Sequence, residues 1–176
     1  MEVFKMDYLK LVTENFKSIK NQSEKAMEQL NLEELHYSAS EESNSIAIIA
    51  KHMSGNLQSR FREFLTSDGE KPDRNRDGEF EGAFHTKEDL ISHWNAGWDV
   101  LFQTLSQLSQ DDLGKTVYIR NEPHTAIEAI QRQVVHQATH AGQIVYLAKL
   151  IKNEEWRTLS IPKGKSQQFN EKMMGI

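Results

Sequence analysis

The sequence predicts an all-α protein: a four-helix bundle with a long crossover between helices two and three and a short C-terminal appendage. Three observations carry this. Four separate segments repeat apolar residues at spacings of three and four, the signature of a helix with one buried stripe. The chain has 176 residues, of which 38% are hydrophobic, enough for one core in a single domain spanning residues 1–176. Its 3 prolines and 9 glycines are too few for a fibrous or disordered chain.

The first helix is expected from about Phe4 to Leu30, with Leu9, Val12, Phe16, Ile19 and Met27 on one face. A polar break from Asn31 through Glu42 follows, and Ser43 or Asn44 can cap the second helix, about Ser45 to Leu65. That helix carries Ile46, Ile49, Met53, Leu57, Phe61 and Phe64, and the Asp68-Gly69 turn signal ends it. Ser67 to His85 has no helical period. Loops of that length are usually functional or crossover connections.

Thr86, with Asp89 three residues on, resembles a capping box for the third helix, whose apolar face runs from Leu90 through Trp94 and Trp98 to Leu108. Val117-Tyr118-Ile119 reads as a short extended piece. The fourth helix, about Thr125 to Ile151, is apolar around most of its circumference and is expected to be the most buried. One more short helix is expected after Ser166.

Charge narrows the function. There are 26 acidic and 21 basic residues, a net charge of −5. The densest basic cluster, Lys71, Arg74 and Arg76, is interleaved with Glu70, Asp73 and Asp77. Nucleic-acid binders concentrate basic residues on one face, so no nucleic-acid partner is expected. No run approaches the roughly 18 apolar residues of a membrane span, and the first residues lack a signal-peptide layout. No membrane partner and a cytoplasmic location are therefore expected. The absence of cysteine removes disulfides, zinc–thiolate sites and a cysteine nucleophile together. Imidazole is left as the dominant metal ligand.

Seven histidines are present. His136 and His140 stand four apart on the fourth helix, which puts both rings on one face, roughly 6 Å apart at the backbone, within reach of one metal. The pattern is similar to a zincin pair, but position 137 is Gln rather than the Glu that serves there as general base, so a zinc protease is rejected. His52 lies mid-way along the second helix at the border of its apolar stripe. His36, His85, His93 and His124 fall near helix ends or in loops, where solvated surface is the default.

The motif Ile49-Ala50-Lys51-His52-Met53 in helix two and HQATHAGQI from His136 to Ile144 in helix four resemble the DinB/YfiT-like metalloenzyme superfamily. The segment Val117 to Arg120 followed by Glu122 to Thr125 fits the same pattern. The loop GEKPDRNRDGEFE and the tail WRTLSIPKGKSQQFN are similar to one bacterial branch with no assigned function. The resemblance implies a DinB-like bundle in which His52, His136 and His140 bind one divalent metal, Zn²⁺ or Ni²⁺, with positions left open. Asn56 and Gln143 are the nearest polar candidates to orient the imidazoles; their other reading is ordinary helix-surface amides.

The resemblance also implies a homodimer that transfers a low-molecular-weight thiol of the bacillithiol type to a small-molecule substrate. Arg74 and Arg76 would then bind the anionic groups of that thiol, or else exchange surface salt bridges with Asp73, Asp77 and Glu79. Two alternatives stand beside this reading. One is a hydrolase activating water on the metal, which the lack of an acidic residue beside HQATH disfavours. The other is a non-catalytic stress-response protein with a structural or vestigial metal.

Overall fold

The computed structural model describes residues 7–175. Its helices are α1 Tyr8–Met27, α2 Leu32–His36, α3 Ile46–Phe61, α4 Lys87–Gln107, α5 Ala126–Lys152 and α6 Ser166–Met174, with a hairpin of β1 Thr116–Ile119 and β2 Glu122–Thr125 before α5. The protein is all-α, with the hairpin as its small extended part. In the bundle, α3 packs chiefly on α4 and α1 on α5, while α3 also meets α5. No described helix is long and apolar enough to cross a membrane.

Each long helix starts at a side-chain cap. Asp7 accepts from Lys10 N at 3.1 Å, Ser45 from Ile48 N at 3.3 Å and Thr86 from Asp89 N at 3.0 Å. Thr125 and Glu128 form a reciprocal capping box. Each cap satisfies a backbone N–H that the helix leaves unpaired, an effect of about 1 kcal/mol. In the core, Phe16 meets Trp98 edge-on at 6.3 Å and Phe61 at 6.4 Å. Gly97 brings α4 against α3: a Cβ there would lie 2.6 Å from the Ser54 Cα, so only glycine permits this crossing.

Several expectations need correction. The expected first helix begins at Phe4, and that part lies outside the described residues. Its end comes at Met27, and the polar break holds α2, nucleated by an Asn31–Glu34 capping box. Ser45, not Ser43 or Asn44, caps α3. That helix stops at Phe61, and Glu63 turns the chain in the left-handed region at φ 51°, so Phe64 reaches the core from a turn. The crossover contains a single 3-10 turn, Asp77–Phe80.

The largest correction concerns burial. Twelve of the sixteen α3 residues are buried, against eight of twenty-seven in α5. Val135, Tyr146 and Leu150 of α5 point outward, 66%, 69% and 53% exposed. The α5 helix packs chiefly on α1, and less on α3 and the hairpin, which leaves these outer residues uncovered.

Candidate metal centre

His52 is 5% exposed on α3, while His136 and His140 rise one turn apart from α5 where it crosses α3. One ring nitrogen from each of the three lies within 4.8 Å of the others, so the cluster can hold a metal ion. His52 Nε2 and His136 Nε2 are 3.3 Å apart. Two nitrogens bound at about 2.0–2.1 Å in a tetrahedral shell lie roughly 3.3 Å from each other. That spacing fits a shared cation.

The outer nitrogens decide which way the lone pairs face. His52 Nδ1–H donates to Glu79 Oε2 at 2.8 Å, which leaves Nε2 as the inward lone pair. His140 Nδ1–H donates to Gln143 Oε1 at 2.7 Å, with the same result. The Gln137 side-chain amide lies 3.4 Å from His136 Nδ1, and its Oε1 is buried without a partner. Amide oxygen and nitrogen are interchangeable assignments; with the oxygen toward His136, all three imidazoles are oriented alike. Such outer partners fix the tautomer and ring orientation of metal-binding histidines.

The burial of the α5 rings suits this role. Burial, aided by the neighbouring histidines and by Arg60 and Arg74, pushes His136 down to about 3. Burial also lowers His140, against its bond to Gln143. Both rings are therefore neutral near pH 7, the form that binds a metal.

Behind His52 stands a charged relay that spacing alone did not show. Burial by itself would raise the Glu79 carboxyl, but hydrogen bonds from His52 and Arg74 outweigh it and hold it below its ordinary range. Arg74 donates through Nε to Oε1 at 2.8 Å and through Nη2 to Oε2 at 3.0 Å. Lys51 ties the turn carrying Glu79 to α3, donating to Gly78 O at 2.7 Å and Glu81 O at 2.8 Å. Phe80 lies over the His52 ring at 4.9 Å. Gly55, one turn beyond His52, makes room: a Cβ there would sit 2.5 Å from Glu79 Oε1.

The remaining candidates fall as follows. Gln143 touches the centre directly through His140. Asn56 is buried, 5% exposed, and its Oδ1 has no partner; it is no surface amide, and no hydrogen bond links it to a ring. Arg74 is not free on the surface, because its guanidinium is engaged by Glu79 and by Glu70 at 3.4 Å. Arg76 is exposed and lies over the Phe80 ring at 5.3 Å. His36 is not simply solvated: it bonds Leu32 O through Nδ1 and accepts from Phe84 N–H at 3.0 Å. The signal for Glu79 was the chemistry of the ligand, since an oriented imidazole needs an acceptor, and a glycine three residues after His52 marks a close approach.

The family described as "Protein of unknown function (DUF1572)" matches residues 3–165. The chain belongs to this family. A crystal structure of a conserved protein from Enterococcus faecalis is similar to this DUF1572 chain with a TM-score of 0.64 and 15% identity, covering 84% of this chain and 98% of that chain. At that identity the likeness shows the fold alone. No functionally curated protein matches the chain.

Proposed function

We propose that this DUF1572 protein is a branch of the DinB/YfiT-like superfamily and binds one divalent metal, zinc or nickel, through His52, His136 and His140. The observation that carries it is the 3.3 Å approach of the His52 and His136 Nε2 atoms, with the outer nitrogens of His52 and His140 anchored to Glu79 and Gln143. Three imidazole nitrogens complete fewer positions than a metal offers, which leaves room for a ligand. A bound metal would supply Lewis acidity, lowering the pKa of a thiol or water at the open position.

The reaction we propose is attack of a small thiol's sulfur on an electrophilic carbon, forming a C–S bond as the substrate's leaving group departs with the bonding electrons and the thiol proton passes to solvent. Both oxygens of Glu79 are engaged, so that carboxylate does not stand ready to take a proton from water, as a hydrolase would want. The chain has no cysteine, so the thiol must come from outside. The exposed α5 stripe of Val135, Tyr146 and Leu150 suits a homodimer face, and we place the protein in the cytoplasm.

Elemental analysis of protein purified without a tag should find about one zinc or nickel per chain, strongly reduced by His52→Ala, His136→Ala and His140→Ala. Full occupancy in His52→Ala would overturn the triad. Thioether formation from bacillithiol and an alkylating substrate tests the chemistry; its absence in fully loaded protein would overturn the thiol reading alone.

A further inference from the structure

Beside the histidines opens a cavity of about 370 Å³, bounded by His52 and His136 on one side. The charged residues lining it are five arginines: Arg60, Arg74, Arg76, Arg120 and Arg132. Only two carboxylates are bonded to these guanidiniums among the described residues. Glu70 is shared by Arg60 at 3.2 Å, Arg74 at 3.4 Å and Arg120 at 3.0 Å, and Glu79 is taken by Arg74. Arg76 and Arg132 form no ion pair among the described residues. Five positive charges against two negative ones leave an excess of three, in a chain whose net charge is −5.

The hairpin tip brings Arg120 to this wall. Arg120 and Asn121 are the two-residue turn of the hairpin, at φ 55° and 62°, the positive values such a turn requires. Asp68 holds that hairpin tip by accepting from Arg120 N at 2.9 Å and Asn121 N at 2.8 Å. The wall also includes Asn56 and Gln133, 5% and 3% exposed, whose Oδ1 and Oε1 are buried without a partner. The guanidiniums give the pocket more N–H donors than its two carboxylates can accept.

We infer that this pocket binds the oxyanion of a small acidic molecule, a carboxylate or phosphate group, and so orients that molecule beside the three histidines. Guanidinium forks match the two oxygens of such a group, and a partly enclosed cavity strengthens each contact relative to water. The inference deepens the proposed function by giving its substrate an anionic handle. Arg76 and Arg132 supply the uncompensated charge; Arg60, Arg74 and Arg120 are already held in place by Glu70 and Glu79.

The test is calorimetric titration of inorganic phosphate and, separately, of succinate into the protein as purified and after chelation, at low ionic strength. At least one anion should bind saturably, and the tighter one identifies the group. The Arg76→Gln/Arg132→Gln double variant should weaken that binding roughly tenfold or more, with helicity and metal content unchanged. Arg62→Gln, whose guanidinium pairs with Asp73 outside the pocket, should bind as the unaltered protein does. The inference is overturned if neither anion binds in either form, if the double variant loses less than tenfold, or if Arg62→Gln causes the loss instead. Metal content in the same samples separates the readings: anion binding without metal overturns only the metal site, and metal without anion binding overturns only this pocket.

Discussion

On the α3 side of the histidine centre, His52 leans on a buried carboxylate, which is itself clamped by a buried guanidinium. On the α5 side, the acceptors are amides: Gln143 for His140, with Gln137 placed to serve His136. The α3 side is assembled from two distant stretches, the helix and the Asp77–Phe80 turn, and needs a glycine to let them touch. The α5 side is local, a single helix whose own next turn supplies Gln143. The difference teaches that the same imidazole geometry can be held by a costly long-range relay or by a cheap short-range bond, and the two should fail differently.

The largest expected effect is Glu79→Ala. It strips His52 of its acceptor and leaves Arg74, whose side chain is 5% exposed, with only its long contact to Glu70. Removing one partner of a buried ion pair costs about 3–5 kcal/mol, and losing such an outer partner lowers metal affinity roughly 10–100-fold. Chemical denaturation and competitive chelation should show both losses together. Gly55→Ala should come next. Its methyl group displaces Glu79, costing about 1–3 kcal/mol and weakening metal binding while every ligand remains. Unchanged metal affinity in Gly55→Ala would sever the link between Glu79 and the centre.

Acid should separate the two sides in the metal-free protein. His136 is protonated near 6.5 when unfolded but only at about 3 when folded. The unfolded state therefore takes up the proton first, and stability falls as pH drops from about 6.5 toward 3. Glu79 is also depressed when folded, from an ordinary 4.5. Its contribution is present above 4.5 and is lost as pH falls through its folded value. His136→Gln should lower the slope of stability from pH 6.5 down to about 3, most visibly above 4.5, where Glu79 does not yet contribute.

The smallest effect is expected from Gln143→Ala. The bond is exposed and intrahelical, so stability should change by no more than about 0.5 kcal/mol. Metal affinity should drop near the lower end of the range, roughly tenfold. A loss as large as that of Glu79→Ala would erase the contrast between the two sides.

The helical period of residues 8–27, 46–61, 87–107 and 126–152 was legible because each segment repeats its own apolar face, a property of neighbouring residues alone. The His136–His140 pair was legible for the same reason, since a spacing of four is a distance on any helix. Gln143, one turn further on, was reachable by that rule too. Burial was not, because it depends on what packs against a face: α5 carries the wider apolar surface, yet α3 has α4 and α5 around it and is the more enclosed. Glu79 and Arg74, in a stretch without period, looked like surface charge. They become buried partners of His52 only when Lys51 and Gly55 fold the turn onto α3. The five arginines of the pocket come from α3, the crossover, the hairpin tip and α5, between positions 60 and 132. Local periodicity carries no information about such distant meetings, and the tertiary structure alone sets them.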